Sequence, residues 1–140
     1  MAEKVRILLV DDEPHICQLA AARLEHEGYA VLIARDGQEA LKAAREQRPD
    51  LVILDLMLPK MNGYEVCTLL KQDTRYQKIP ILMFTAKAQE KDEKLGLECG
   101  ADAYVRKPFD GVALLAEIRR LLAASSHSVT VPSKLEEGGG

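Results

Sequence analysis

No stretch of about eighteen or more apolar residues occurs in the sequence, and Met1-Ala2-Glu3-Lys4 leads straight into a strand-like segment without a signal-peptide pattern. A membrane span and a secretory leader are therefore not expected, and the reading is a cytoplasmic protein. There is no run of Lys or Arg, and the net charge is -3, so the chain lacks an electrostatic footprint for gripping a phosphate backbone. Direct nucleic-acid binding is not expected. The three cysteines, Cys17, Cys67 and Cys99, are far apart in sequence and lack metal-type spacing, which leaves a disulfide framework or a zinc site without support. They read as small core or surface residues.

What is present is one domain's worth of chain: 140 residues, 47% hydrophobic and 29% charged, the balance of a globular protein. Short β-branched or leucine-rich runs alternate with longer segments of helical periodicity, the pattern of a parallel sheet with crossover helices. Strands are expected at Val5–Val10, Ala30–Ala34, Leu51–Leu54, Ile79–Phe84 and Ala103–Val105, mostly as continuous apolar runs suited to burial on both faces. Helices are expected at Pro14–Glu27, with Ile16, Leu19, Ala20 and Leu24 as its stripe and Gly28 as its stop, and at Gln38–Gln47, with Ala40, Leu41 and Ala44. The third covers Gly63–Gln72, with Val66, Leu69 and Leu70; the fifth covers Asp110–Leu122, with Leu114, Leu115, Ile118, Leu121 and Leu122. The fourth, Ala88–Cys99, is more polar, with Gly96 between Leu95 and Leu97, and should be the most mobile. Residues 1–123 form the expected domain. Residues 124–140, rich in Ser and ending in Gly, read as a disordered tail: a linker to an output domain, an expression scar or a native terminus.

In an open parallel sheet, ligands bind beyond the carboxyl ends of the strands, and the polar residues gather there. Asp11 and Asp12 follow the first strand, Asp55 the third, Thr85 the fourth, and Lys107 the fifth by two residues. Three carboxylates on one rim repel one another unless a hard divalent cation neutralises them, and Mg²⁺ suits a few carboxylates plus waters and a phosphate oxygen. Asp55 can then act as a nucleophile toward a phosphoryl donor. Lys107 supplies a fixed positive charge, Thr85 a hydroxyl donor, and the small Ala86 leaves a backbone N–H accessible. Singly, each residue has a plainer reading: Asp11 and Asp12 as a helix cap before Pro14, Thr85 as a strand-end hydroxyl, Lys107 as a surface lysine. Asp55 does not, because it stands between the apolar runs Leu51-Val52-Ile53-Leu54 and Leu56-Met57-Leu58-Pro59, where a purely structural carboxylate would be poorly solvated.

Four segments carry a family resemblance: Ile7-Leu8-Leu9-Val10-Asp11-Asp12-Glu13-Pro14; Asp55-Leu56-Met57-Leu58-Pro59-Lys60-Met61-Asn62-Gly63; Thr85-Ala86-Lys87; and Gly100-Ala101-Asp102-Ala103-Tyr104-Val105-Arg106-Lys107-Pro108-Phe109. From about Val5 to Leu122 the chain resembles the receiver domains of bacterial two-component response regulators. The resemblance implies an α/β, flavodoxin-like (βα)5 three-layer sandwich with strand order 2-1-3-4-5. It implies that Asp55 is phosphorylated by a histidine kinase or phosphotransfer protein, with Asp12 a direct Mg²⁺ ligand, Asp11 acting through metal-bound water, and the Met57 carbonyl completing the protein ligands. Thr85 and Tyr104 would be the switch pair, and the fourth helix, fifth strand and fifth helix the face offered to a downstream protein or output domain. The Lys107-Pro108 bond would be cis. Such a domain catalyses only its own phosphorylation and dephosphorylation and is not otherwise an enzyme.

Two positions that tune the lifetime of the phosphorylated state in that family are Met57 and Lys87 here. Neither offers a carboxylate or amide to orient water, so slow self-dephosphorylation is expected. Dimers of the subgroup sharing this pair use interlocking opposite charges, where this chain has Glu93, Ala113 and Glu117; like charges would face each other, and the oligomeric state stays open. A haloacid-dehalogenase-type phosphatase would need an acid/base carboxylate where Met57 stands. A flavin or nucleotide binder would need a Gly-rich loop where Asp11 and Asp12 stand. A degenerate receiver serving as a scaffold would not retain the complete acidic, Thr and Lys set.

Overall fold

A computed structural model describes residues 4–85, 99–108 and 110–127. The elements are β1 (Arg6–Val10), α1 (Pro14–His26), β2 (Ala30–Ala34), α2 (Gly37–Gln47), β3 (Leu51–Leu54), α3 (Gly63–Gln72), β4 (Ile81–Thr85), β5 (Ala103–Arg106) and α4 (Gly111–His127). The expected fourth helix lies outside the described residues except for Cys99, which sits in a turn, so α4 is the fifth helix of the expectation. All strand pairs are parallel and the order is β2-β1-β3-β4-β5. This is the doubly wound, flavodoxin-like arrangement.

Alternation along the central strands divides the core in two. Leu8, Val10, Val52, Leu54, Ile81 and Met83 face α2 and α3, where they meet Ala40, Leu41, Ala44, Val66, Cys67 and Leu70. Ile7, Leu9, Leu51, Ile53, Leu82 and Phe84 face α1 and α4, against Cys17, Ala20, Leu24, Leu114, Leu115 and Ile118. Both faces are covered, so β3 and β4 carry no polar residue before their carboxyl ends, and β1 none after Arg6.

Local chemistry sets the helix ends. Pro14 occupies the first turn of α1, where its missing N–H costs nothing, and Glu13 is the N-cap, so Asp11 and Asp12 stand ahead of the cap rather than forming it. Asp36 caps α2 by accepting from the Glu39 N–H at 2.8 Å. A reciprocal Asn62–Glu65 capping box opens α3. Gly63 donates to the Leu56 carbonyl at 2.9 Å, and a Cβ there would fall 2.8 Å from the Leu56 Cα. Only glycine lets α3 start this close to the loop that follows Asp55.

Several boundaries and faces differ from the expectation. β4 begins at Ile81 because Pro80 has no N–H for the ladder and Ile79 closes the preceding turn, donating to the Tyr76 carbonyl at 3.0 Å. α4 continues to His127, past the expected boundary at residue 123, since Ala123 and Ala124 favour helix without needing an apolar stripe. Residues 128–140 of the expected tail lie outside the described residues. Leu19 and Leu69, both assigned to apolar stripes, are 62% and 43% exposed; the buried faces run through Cys17, Ala20 and Leu24 on α1 and Val66, Cys67 and Leu70 on α3.

Truncating Ile53 to Ala should cost about 2–5 kcal/mol, because the two-sided packing around β3 cannot collapse into the cavity. Leu19→Ala should stay within about 0.5 kcal/mol of the parent. Urea unfolding at an unchanged slope reads both.

Candidate functional site

The sheet ladders run one step past the strand ends and hold two aspartates side by side. The Asp11 N–H donates to the Ala34 carbonyl at 3.1 Å and the Asp55 N–H to the Val10 carbonyl at 2.9 Å. Val10 and Leu54 are register partners, so the next residue on each strand is a carboxylate at the same edge. Asp11 is fully buried and Asp55 is 3% exposed, while Asp12 points to solvent. Oxygens of all three lie within 4.8 Å of one another.

Lys107 reaches this pair from the far side of β4. Its ammonium stands 2.6 Å from Asp11 Oδ2 and 3.2 Å from Asp55 Oδ2, with the exposed Glu13 carboxylate at 3.5 Å. The Lys107 side chain is 7% exposed and passes over the Phe84 ring, 5.2 Å from its centroid, so an aromatic face carries the cation across the strand. Burial works against the charged lysine, but Asp11 and Asp55 outweigh it and hold the Lys107 pKa above its ordinary value. Burial pushes the Asp55 carboxyl up, and Asp11 adds to this, while Lys107 and the Met57 N–H at 3.2 Å pull in the other direction.

Three carboxylates against one ammonium leave an excess of two negative charges, which one divalent cation neutralises. Asp11 Oδ1 accepts the Glu13 N–H at 2.9 Å. Among the described residues its buried Oδ2 meets the Lys107 ammonium at 2.6 Å and no second donor. Hard oxygen donors carrying excess negative charge fit a small hard cation such as Mg²⁺.

The family model for the response regulator receiver domain matches residues 7–119. The chain belongs to this family. The receiver is 48% identical over 130 residues to the alkaline phosphatase synthesis transcriptional regulatory protein PhoP of Bacillus subtilis, covering 91% of this chain and 52% of that protein. It is 50% identical over 117 residues to the DNA-binding response regulator MtrA of Mycolicibacterium smegmatis, covering 84% and 50%. The chain thus spans about half the length of these curated relatives. Among solved structures, the receiver domain of the sensor histidine kinase PA1611 from Pseudomonas aeruginosa PAO1 superposes with a TM-score of 0.81 at 30% identity, covering 86% of this chain and 99% of that one. That crystal structure holds a magnesium ion coordinated in its active-site cleft.

Of the residues singled out in the sequence, Asp11, Asp12, Asp55 and Lys107 converge on the receiver's rim. Met57 is exposed beside them. Thr85 ends β4 opposite Arg106, and Tyr104 pairs with Met83 and packs half-buried against the α2/α3-side core. The Lys107-Pro108 bond is cis. Ala86, Lys87 and Glu93 lie outside the described residues. Sequence reading missed Glu13 as a neighbour of Lys107, Phe84 as the surface beneath it, and the Cys17 thiol, which donates to the Asp11 carbonyl at 3.3 Å. Glu13 stood in a quoted motif and could have been found there; the other two need the fold.

Without divalent cations, Asp55→Asn should raise stability at neutral pH. A carboxyl whose folded pKa exceeds its unfolded one contributes stability below the unfolded value and loses it as pH rises through the folded one. The gain should therefore fade below about pH 4. Lys107→Met strands two buried carboxylates and should cost about 3 kcal/mol, partly recovered by Asp11→Asn in the same chain. Urea unfolding from acidic to neutral pH measures both.

Proposed function

We propose that the chain is a phosphoacceptor switch in which Asp55 receives a phosphoryl group from a histidine kinase or phosphotransfer protein in the cytoplasm. The observation that carries this reading is the buried Asp55 carboxylate, 3.2 Å from a buried lysine and within 4.8 Å of two further aspartates at the sheet's carboxyl edge. Asp11, Asp12, Asp55 and the Met57 carbonyl would hold Mg²⁺, which when bound offsets charge on the transferring phosphoryl group.

The chain's own groups divide the remaining work. An Asp55 oxygen attacks phosphorus as the donor's bond to the phosphoryl group breaks. Lys107 balances the charge that gathers on the phosphoryl oxygens, and its buried contacts with Asp11 and Asp55 mean that it need not be recruited from water. The Thr85 hydroxyl and Ala86 N–H are the donors for the remaining oxygens. Movement of Thr85 toward the phosphoryl group, with inward rotation of Tyr104, carries the change to the face formed by the segment before β5, β5 and α4. A downstream protein or output domain reads that face.

DNA binding is part of the name of the relative MtrA. With a net charge of -3 and no basic run in this chain, we assign any such contact to regions of those relatives beyond the match. An interlocking-charge dimer is not proposed, because Ala113 is exposed and Glu117 is engaged by Arg120 of its own helix at 2.7 Å.

Incubation with acetyl phosphate and Mg²⁺, followed by intact mass measurement, should add about 80 Da to the wild type, one phosphoryl group on a carboxylate. Asp55→Asn and a chelator-treated wild type should show no gain. Folded wild type that stays unmodified, or an Asp55→Asn protein that gains the same mass, overturns the reading. The phosphorylated form should persist for minutes or longer without a phosphatase, because Met57 and Lys87 present no group to orient water. Decay within seconds would defeat that assignment.

A further inference from the structure

Cysteines that the sequence separates by 32 positions meet in the fold. Cys67 is fully buried on α3 beside Val66 and Leu70, and Cys99 lies half-buried in the turn that leads toward β5, packed against the same core. The Cys67 thiol donates to the Cys99 carbonyl at 3.6 Å, which sets the two residues side by side. Independent contacts hold the turn there. Lys71, one helical turn after Cys67, pairs with Asp102 at 2.8 Å. Asp102 and Ile81 exchange two hydrogen bonds of 2.8 Å through the Asp102 side chain and backbone. Gly100, at φ +100, rests against the Lys71 stem, where a Cβ would fall 2.9 Å from Lys71 Cγ.

We propose that Cys67 and Cys99 are a redox-responsive pair, closing a reversible disulfide between α3 and the turn before β5 when hydrogen peroxide is the oxidant. Cys99 reacts first. It is the more exposed of the two, and the neighbouring Cys67 thiol lowers its pKa to about 7. The neighbouring Cys99, together with burial, pushes Cys67 up, so it stays a thiol. The Cys99 sulfur attacks a peroxide oxygen: the S–O bond forms, the O–O bond breaks, and hydroxide leaves to take up a proton as water. The Cys67 sulfur then attacks the sulfenic sulfur: the S–S bond forms, the S–O bond breaks, and the oxygen departs as a second water with the Cys67 proton. Two thiols lose two electrons in total and one peroxide is reduced. Cys17 does not compete, since it is buried in the core on the opposite face of the sheet and burial raises its pKa.

The test treats the full chain with hydrogen peroxide in native buffer, blocks remaining thiols with N-ethylmaleimide in denaturant, and reads intact mass and digest. The expected product has lost about 2 Da before blocking, as two thiol hydrogens leave. It carries maleimide on Cys17 alone, contains a cross-linked peptide joining Cys67 to Cys99, and reverts with dithiothreitol. Cys17→Ser should behave as the wild type. Cys99→Ser should keep both remaining thiols free, and Cys67→Ala, checked for folding by circular dichroism, should leave a Cys99 sulfenic acid that dimedone traps. Overoxidation of Cys99 with Cys67 still free in the wild type, or a cross-link through Cys17, overturns the proposal. None of these readouts passes through Asp55, so they stand or fall apart from the phosphoacceptor reading.

Discussion

The buried ammonium of Lys107, set between Asp11 and Asp55, is the contact on which the rest of the site depends. A carboxylate withdrawn from water is stable only when paired, and two adjacent buried carboxylates repel each other. One lysine compensates them incompletely, which leaves the rim acidic. The arrangement is stable enough to fold and unsatisfied enough to accept a cation. Its reach depends on Phe84, whose ring supports the lysine where β4 would otherwise separate β5 from β1 and β3.

The sheet explains why this chemistry sits at an edge and nowhere else. Strands buried on both faces tolerate no polar side chain along their length. Polar groups must wait for the carboxyl ends, where the ladder still fixes the backbone but side chains meet solvent. Asp11 and Asp55 occupy the first such positions on neighbouring strands. Gly63 contributes from the other direction, bringing α3 against the loop after Asp55 more closely than any side chain would permit.

Reading the sequence failed where two packings share one pattern. Leu19 and Leu69 have the spacing of core residues, yet the helix faces that meet the sheet are defined by neighbours about one position away. The last helix outran its apolar stripe because alanine supports helix without burial. Cys67 and Cys99 read as isolated residues because nothing local signals a contact made through the β4–β5 crossover.

The sequence by itself determined the alternation of strand and helix, the parallel sheet, and the acidic and basic residues of the site. Each follows from periodicity or from charge at the end of an apolar run, which are local properties of the chain. Tertiary structure alone decided that Lys107 lies over Phe84 between two buried carboxylates, that Glu13 joins it, and that the Cys67 thiol meets the Cys99 carbonyl in the turn before β5. Such contacts arise from strand order and crossover geometry, which place residues from different strands and helices within a few ångströms without leaving any mark in the intervening sequence.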